Sequence, residues 1–87
     1  MAWTIEYTDP AVKALRKLDR AQARRITAYI RELTGLDDPH QRGKGLTGPL
    51  AGLWRYRVGD YRIICDLNAD RLAIIALTIE HRSQAYR

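Results

Sequence analysis

A single cysteine in 87 residues, Cys65, excludes an internal disulfide, so only non-covalent forces can hold this chain in shape. The two histidines, His40 and His81, lie far apart, and neither falls at ligand spacing with Cys65; no metal site and no cofactor are expected. No apolar run is long enough to span a bilayer, and the opening MAWTIEYTDP lacks the zones of a secretory leader. The expectation is a cytoplasmic protein with no membrane partner. Repeats, low-complexity tracts and linkers are also missing. Since a domain usually takes roughly 100 to 200 residues, 1–87 reads as a single domain with a modest core.

What the chain has is charge of one sign. Fifteen Lys and Arg stand against ten Asp and Glu, a net charge of +5, and twelve of the fifteen are arginine. Such a balance favours polyanions as partners. Arginine's planar fork also matches phosphate better than the point charge of lysine does. With 46% hydrophobic and 29% charged residues, the composition is that of a globular domain.

Spacing predicts the elements. Residues 2–7 (AWTIEY) read as a strand. Thr8 or Asp9 can cap a helix that Pro10 opens, with Val12, Leu15 and Leu18 as its buried stripe. Asp19 caps a second helix, which places Ala23, Ile26, Ile30 and Leu33 on one face and ends at Gly35. The two form a helical hairpin able to cover one side of a sheet. Residues 36–52 have no apolar period and read as a long loop, a length that suggests function. LWRYRV, YRIICDL and RLAIIALTI follow, separated by Gly59-Asp60 and by Asn68-Ala69-Asp70. They predict a three-stranded antiparallel meander whose last strand, apolar on both faces, is central. The fold class is α+β: an N-terminal strand, a helical hairpin, then the meander, all strands in one sheet covered by the helices.

The stretch WRYRVGDYRII, residues 54–64, carries the chemistry. If Gly59-Asp60 is a two-residue turn, Val58 pairs with Tyr61, Arg57 with Arg62 and Tyr56 with Ile63. Trp54, Tyr56, Val58, Tyr61, Ile63 and Cys65 then lie toward the helices, and Arg55, Arg57 and Arg62 on the opposite face. Like charges opposed across a sheet cost about 0.2 to 1 kcal/mol, so folding gains nothing obvious from the pairing. An anion reverses the sign. Three guanidiniums on one face suit a phosphate, and above all the added charge of a pentacoordinate phosphoryl transition state. A merely solvated sheet face is the plainer alternative.

Two blocks, GKGLTGPLAGLWRYRVGDYRIICDL and the terminal HRSQAYR, follow the strand and helical hairpin in an order and spacing that resemble the RelE-type toxins of bacterial toxin–antitoxin pairs, within the RelE/ParE superfamily. The resemblance covers nearly the whole chain. It implies a type II toxin that cuts messenger RNA on the ribosome without metal, the 2′-hydroxyl attacking the adjacent phosphorus. It also implies a cognate antitoxin protein as partner, with ribosome and mRNA as targets. Carried over by position, Arg62 and Arg82 are catalytic arginines and Tyr86 an aromatic that orients a nucleotide. Arg55 and Arg57 stand where relatives carry a lysine pair, and Lys44 and Arg42 lie in the loop used against RNA. Arginine, with a pKa above about 12, cannot serve as a base. His81, Glu80 or Tyr86 must then accept the proton, and His81 is the choice, because imidazole titrates in the physiological range. The alternative within the superfamily is a ParE-like inhibitor of DNA gyrase, which binds and cuts no RNA.

Overall fold

The expected caps form and set the first half of the chain. In the computed structural model, which describes residues 2–85, β1 (Thr4–Tyr7) ends at Thr8, whose hydroxyl accepts from the Ala11 N–H at 3.3 Å and opens α1 (Asp9–Lys17). Asp9 in the first turn and Arg16 and Lys17 in the last complement the helix dipole. Asp19 Oδ1 accepts from the Gln22 N–H at 2.8 Å and opens α2 (Arg20–Leu33). On α2 three residues of the expected face, Ile26, Ile30 and Leu33, are fully enclosed, while Ala23 is only half-buried and outside the core. On α1 it is turned slightly. Ala11 is fully buried, Ala14, Leu15 and Leu18 pack against the core, and Val12 is only half-buried and outside it. The helix packs on the strand Ala73–His81, an interior strand of the sheet.

The second half builds the sheet: β2 (Lys44–Gly45), β3 (Trp54–Val58), β4 (Tyr61–Asn68) and β5 (Ala73–His81), followed by the short helix α3 (Arg82–Ala85). The strand order is β1-β5-β4-β3-β2, with β1 parallel to β5 and every other pair antiparallel. The class is the expected α+β, and β5 is an interior strand, flanked by β1 and β4. The sheet has one strand more than expected, because Lys44 and Gly45 pair with Arg55 and Trp54. Two residues are too short for alternation to show. The last strand also starts two residues late: Leu72, at φ 51°, still belongs to the turn.

What pins β2 is chemistry in the loop before it. Trp54 Nε1 donates to the Arg42 carbonyl at 2.6 Å, and the buried Tyr56 hydroxyl donates to the Pro39 carbonyl at 2.7 Å. The His40 ring stands edge-on to Trp54 at 4.7 Å and its Nδ1 lies 2.7 Å from Asp38 Oδ1, so His40 is a structural residue of the loop. The backbone and side-chain hydrogen bonds from His40 lower the Asp38 pKa. Gly43 sits at φ 75°, where a Cβ would collide with the Arg55 carbonyl oxygen.

Register at the Gly59-Asp60 turn is as expected, with Val58 opposite Tyr61, Arg57 opposite Arg62 and Tyr56 opposite Ile63. The core lies between this face and the helices: Tyr56, Val58, Ile63, Cys65, Ile74, Ala76 and Ile79 meet Ala11, Ile26, Ile30 and Leu33. Between β4 and β5 the ladder slips once. Ile64 faces Thr78 but Cys65 faces Ala76, so Leu77 is the extra residue of a bulge. The slip changes parity along β5. Ile74 and Ala76 face the helices before it, Ile79 after it, and Glu80 comes to lie opposite Arg62. Thr8 holds the bulge in place: its hydroxyl donates to the Leu77 carbonyl at 2.6 Å and its N–H to Ala76 at 3.0 Å.

Candidate active site

On the face turned away from the helices, β3 and β4 present their arginines side by side. A cavity of about 490 Å³ opens at their turn, lined by Arg57, Gly59, Asp60, Tyr61, Arg62, Arg82 and Ser83. A smaller hollow of about 250 Å³ adjoins it, lined by Gly43, Lys44, Arg55 and Arg57. Arg57 is common to both, so five cationic side chains follow one trough: Lys44, Arg55, Arg57, Arg62 and Arg82.

Arg82 reaches the trough because β5 stops at His81. Its backbone N–H donates to the Asp60 carbonyl at 2.7 Å, which ties the start of α3 to the β3–β4 turn. Its guanidinium lies 3.7 Å from Asp60 Oδ1, a pair exposed enough on both sides to contribute little to stability. An incoming phosphate can displace that carboxylate. Asp60 is the one carboxylate among the residues lining the 490 Å³ cavity, against three guanidiniums. The trough therefore carries an excess of positive charge that a dianionic phosphorane would balance.

The structure does not bring every expected residue to that place. The Arg42 guanidinium lies over the Tyr29 ring, 5.8 Å from its centroid, away from the residues of the trough. His81 stands on the helix-facing side of the sheet, its ring edge-on to Tyr61 at 5.2 Å, in a separate cavity. The bulge at Leu77 is the reason, since one residue of slip moves a side chain to the other face. Tyr86 lies outside the described residues. Four lining residues escaped the sequence reading: Gly59 and Tyr61, read as turn and core, and the polar Asp60 and Ser83. Only the position of Asp60 in the arginine turn could have signalled it; for Ser83 the signal was its place two residues after His81 at a strand end. Among the described residues no group of three or more His, Cys, Asp or Glu could hold a metal ion, and no helix is long and apolar enough to cross a membrane.

A small α+β domain with helices on one side of its sheet and a cationic trough on the other has a surface whose charge suits a polyanion. Comparison with known proteins makes the class specific. The family model for the ParE toxin of the type II toxin–antitoxin system parDE matches residues 5–86, and the chain belongs to that family. Among curated proteins it is similar to toxin RelG of Mycobacterium tuberculosis, at 31% identity over 90 residues that cover 100% of this chain and 99% of the relative. Toxin RelE of the same organism is 33% identical over 76 residues, 85% of this chain and 78% of that one. Among solved structures, the archaeal RelE–RelB complex from Pyrococcus horikoshii superposes with a TM-score of 0.73 at 29% identity, covering 97% of this chain and 99% of that one. The chain is a RelE-type toxin by sequence and fold alike.

Proposed function

We propose that this toxin is a ribosome-dependent endonuclease that cuts messenger RNA, and so stops translation, by attack of a 2′-hydroxyl on the adjacent phosphodiester. The observation that carries the reading is the gathering of Arg57, Arg62 and Arg82 around one cavity of about 490 Å³. Folding alone gains nothing from Arg57 and Arg62 in direct opposition, whereas a phosphorane between them converts repulsion into binding that is strongest in the transition state. Arg62 and Arg82 would bear the developing charge. Lys44, Arg55 and Arg57 would hold the neighbouring backbone, and Arg42 would meet RNA from the loop's outer side. Tyr86 would orient a nucleotide. His81 would take the 2′ proton, and the chemistry would need neither metal nor other cofactor. An antitoxin of the RelB kind, the partner seen in the archaeal complex, would cover the trough with acidic side chains and keep the toxin silent in the cytoplasm.

The test is cleavage of a defined message on programmed ribosomes in the presence of a chelator. Wild-type protein should cut within the codon and leave a cyclic phosphate; Arg62→Ala and Arg82→Ala should each lower the single-turnover rate by about 10²- to 10³-fold, as the loss of one transition-state donor does elsewhere. A second reading has one observation in its favour, the parDE name of the matching family. It predicts inhibition of gyrase supercoiling with the message left intact. Weakened RNA binding in the variants without any cleavage by the wild type would indicate a binding module only.

A further inference from the structure

Beside the arginine cavity lies another of about 620 Å³, between α1 and the end of β5, whose walls include Lys13, Lys17, Ile79 and His81. Two residues, Tyr61 and Ser83, line both cavities and form the partition. His81 is thus separated from the arginines by two side chains that bear hydroxyls, and the Ser83 hydroxyl is the one in hydrogen-bond contact with the imidazole nitrogen. Its Nδ1 lies 2.8 Å from Ser83 Oγ and also accepts the Ser83 backbone N–H at 3.2 Å. A ring nitrogen that accepts from an amide presents a lone pair. In this geometry, then, the neutral ring carries its proton on Nε2, and the Ser83 hydroxyl donates to Nδ1. The oxygen of that hydroxyl can in turn accept from a donor in the arginine cavity.

We propose that Ser83 is a catalytic residue, its hydroxyl relaying the proton of the attacking 2′-hydroxyl to His81 Nδ1. The inference rests on the endonuclease reading and supplies its base. As O2′ forms its bond to phosphorus, the O2′–H bond breaks and the proton passes to Ser83 Oγ, while the Oγ–H proton passes to Nδ1. The bond from phosphorus to O5′ then breaks, O5′ leaves with the electron pair and takes a proton from solvent, and the imidazolium returns its proton to solvent through its own cavity. Serine is regenerated, and the products are a cyclic phosphate and a free 5′-hydroxyl. The groups facing His81 are Lys13 and Lys17 from α1, the Tyr61 ring from β4 and Ser83 from α3. Across the partition stand Arg57, Asp60, Arg62 and Arg82.

A capping role predicts something different from a relay. In the first case the His81 nitrogen only holds the start of α3, which an asparagine carbonyl can also do; in the second it must gain and lose a proton. Single-turnover cleavage on programmed ribosomes, followed across pH, separates the two. Expected for Ser83→Ala is a fall in kcat of about 10²-fold with KM unchanged, and loss of the acid limb of the pH profile. Ser83→Thr should restore most of the rate. His81→Asn should fold and bind as the wild type does yet lose the same limb, and the double variant Ser83→Ala/His81→Asn should be no slower than either single one. A Ser83→Ala protein with wild-type rate and profile, full rescue by His81→Asn, or multiplicative losses in the double variant would each overturn the relay while leaving the endonuclease intact. If the wild type cuts no message, both fall together.

Discussion

Arg57 and Arg62 face each other across β3 and β4, with Arg57 exposed to water and Glu80 opposite Arg62 on β5, so their mutual repulsion is moderated by solvent and by a neighbouring carboxylate. Replacing Arg57 with glutamine keeps the aliphatic stem over the sheet and deletes one charge. Chemical denaturation of Arg57→Gln should show a gain of about 0.2 to 1 kcal/mol, the size of an opposed like-charge pair, together with slower cleavage. A variant that loses stability would mean that the guanidinium is engaged in holding the hairpin. The alternation of aromatic and arginine around Gly59-Asp60 made this pair legible in the sequence, because a two-residue turn leaves a single register. The side on which His81 lies was not legible. It depends on a bulge, and nothing in the run AIIALTIEH marks Leu77 as the extra residue.

Thr8 joins three elements with one side chain. Its hydroxyl accepts from the Ala11 N–H to cap α1 and donates to the Leu77 carbonyl, which the bulge leaves without a ladder partner on β4. Valine has nearly the same shape and neither bond. Thr8→Val should therefore cost about 1 to 3 kcal/mol, combining a lost cap with a partly buried carbonyl left unmet, and amide exchange should quicken in the first turn of α1 and in the second half of β5. Unchanged exchange in β5 would show that the bulge stands without Thr8. The cap itself was readable from Thr8-Asp9-Pro10; its second bond crosses 69 residues and lies beyond any local pattern. The same contrast explains β2, whose two residues are placed by Trp54 and Gly43 rather than by their own propensity.

For the whole molecule, the fold was legible because helical and strand periods alternate cleanly along the chain, while the site is assembled from segments brought together only by the sheet. The core that supports both also sets an alkaline limit. Burial pushes the Cys65 thiol from its ordinary 9.0 up to about 12 and raises the hydroxyls of Tyr7 and Tyr56 as well. The unfolded chain releases these protons first, so the contribution to stability is whole below about pH 9 and is lost as pH rises toward about 12. Thermal melts should hold level through neutral pH and drop steadily above 9, and Cys65→Ala should flatten part of that drop. A drop of equal steepness in Cys65→Ala would assign the limit to the tyrosines alone.

The place of β5 between β1 and β4 has a consequence in time. An interior strand of the sheet comes after the other four in the chain, and it must find both an antiparallel neighbour and the distant Thr4–Tyr7 before the sheet is complete. Contacts across so long a span close slowly. A translation product cut short before Ala73 would lack the strand that joins β1 to the rest of the sheet and carries the chain to Arg82, so it could not assemble the cationic trough.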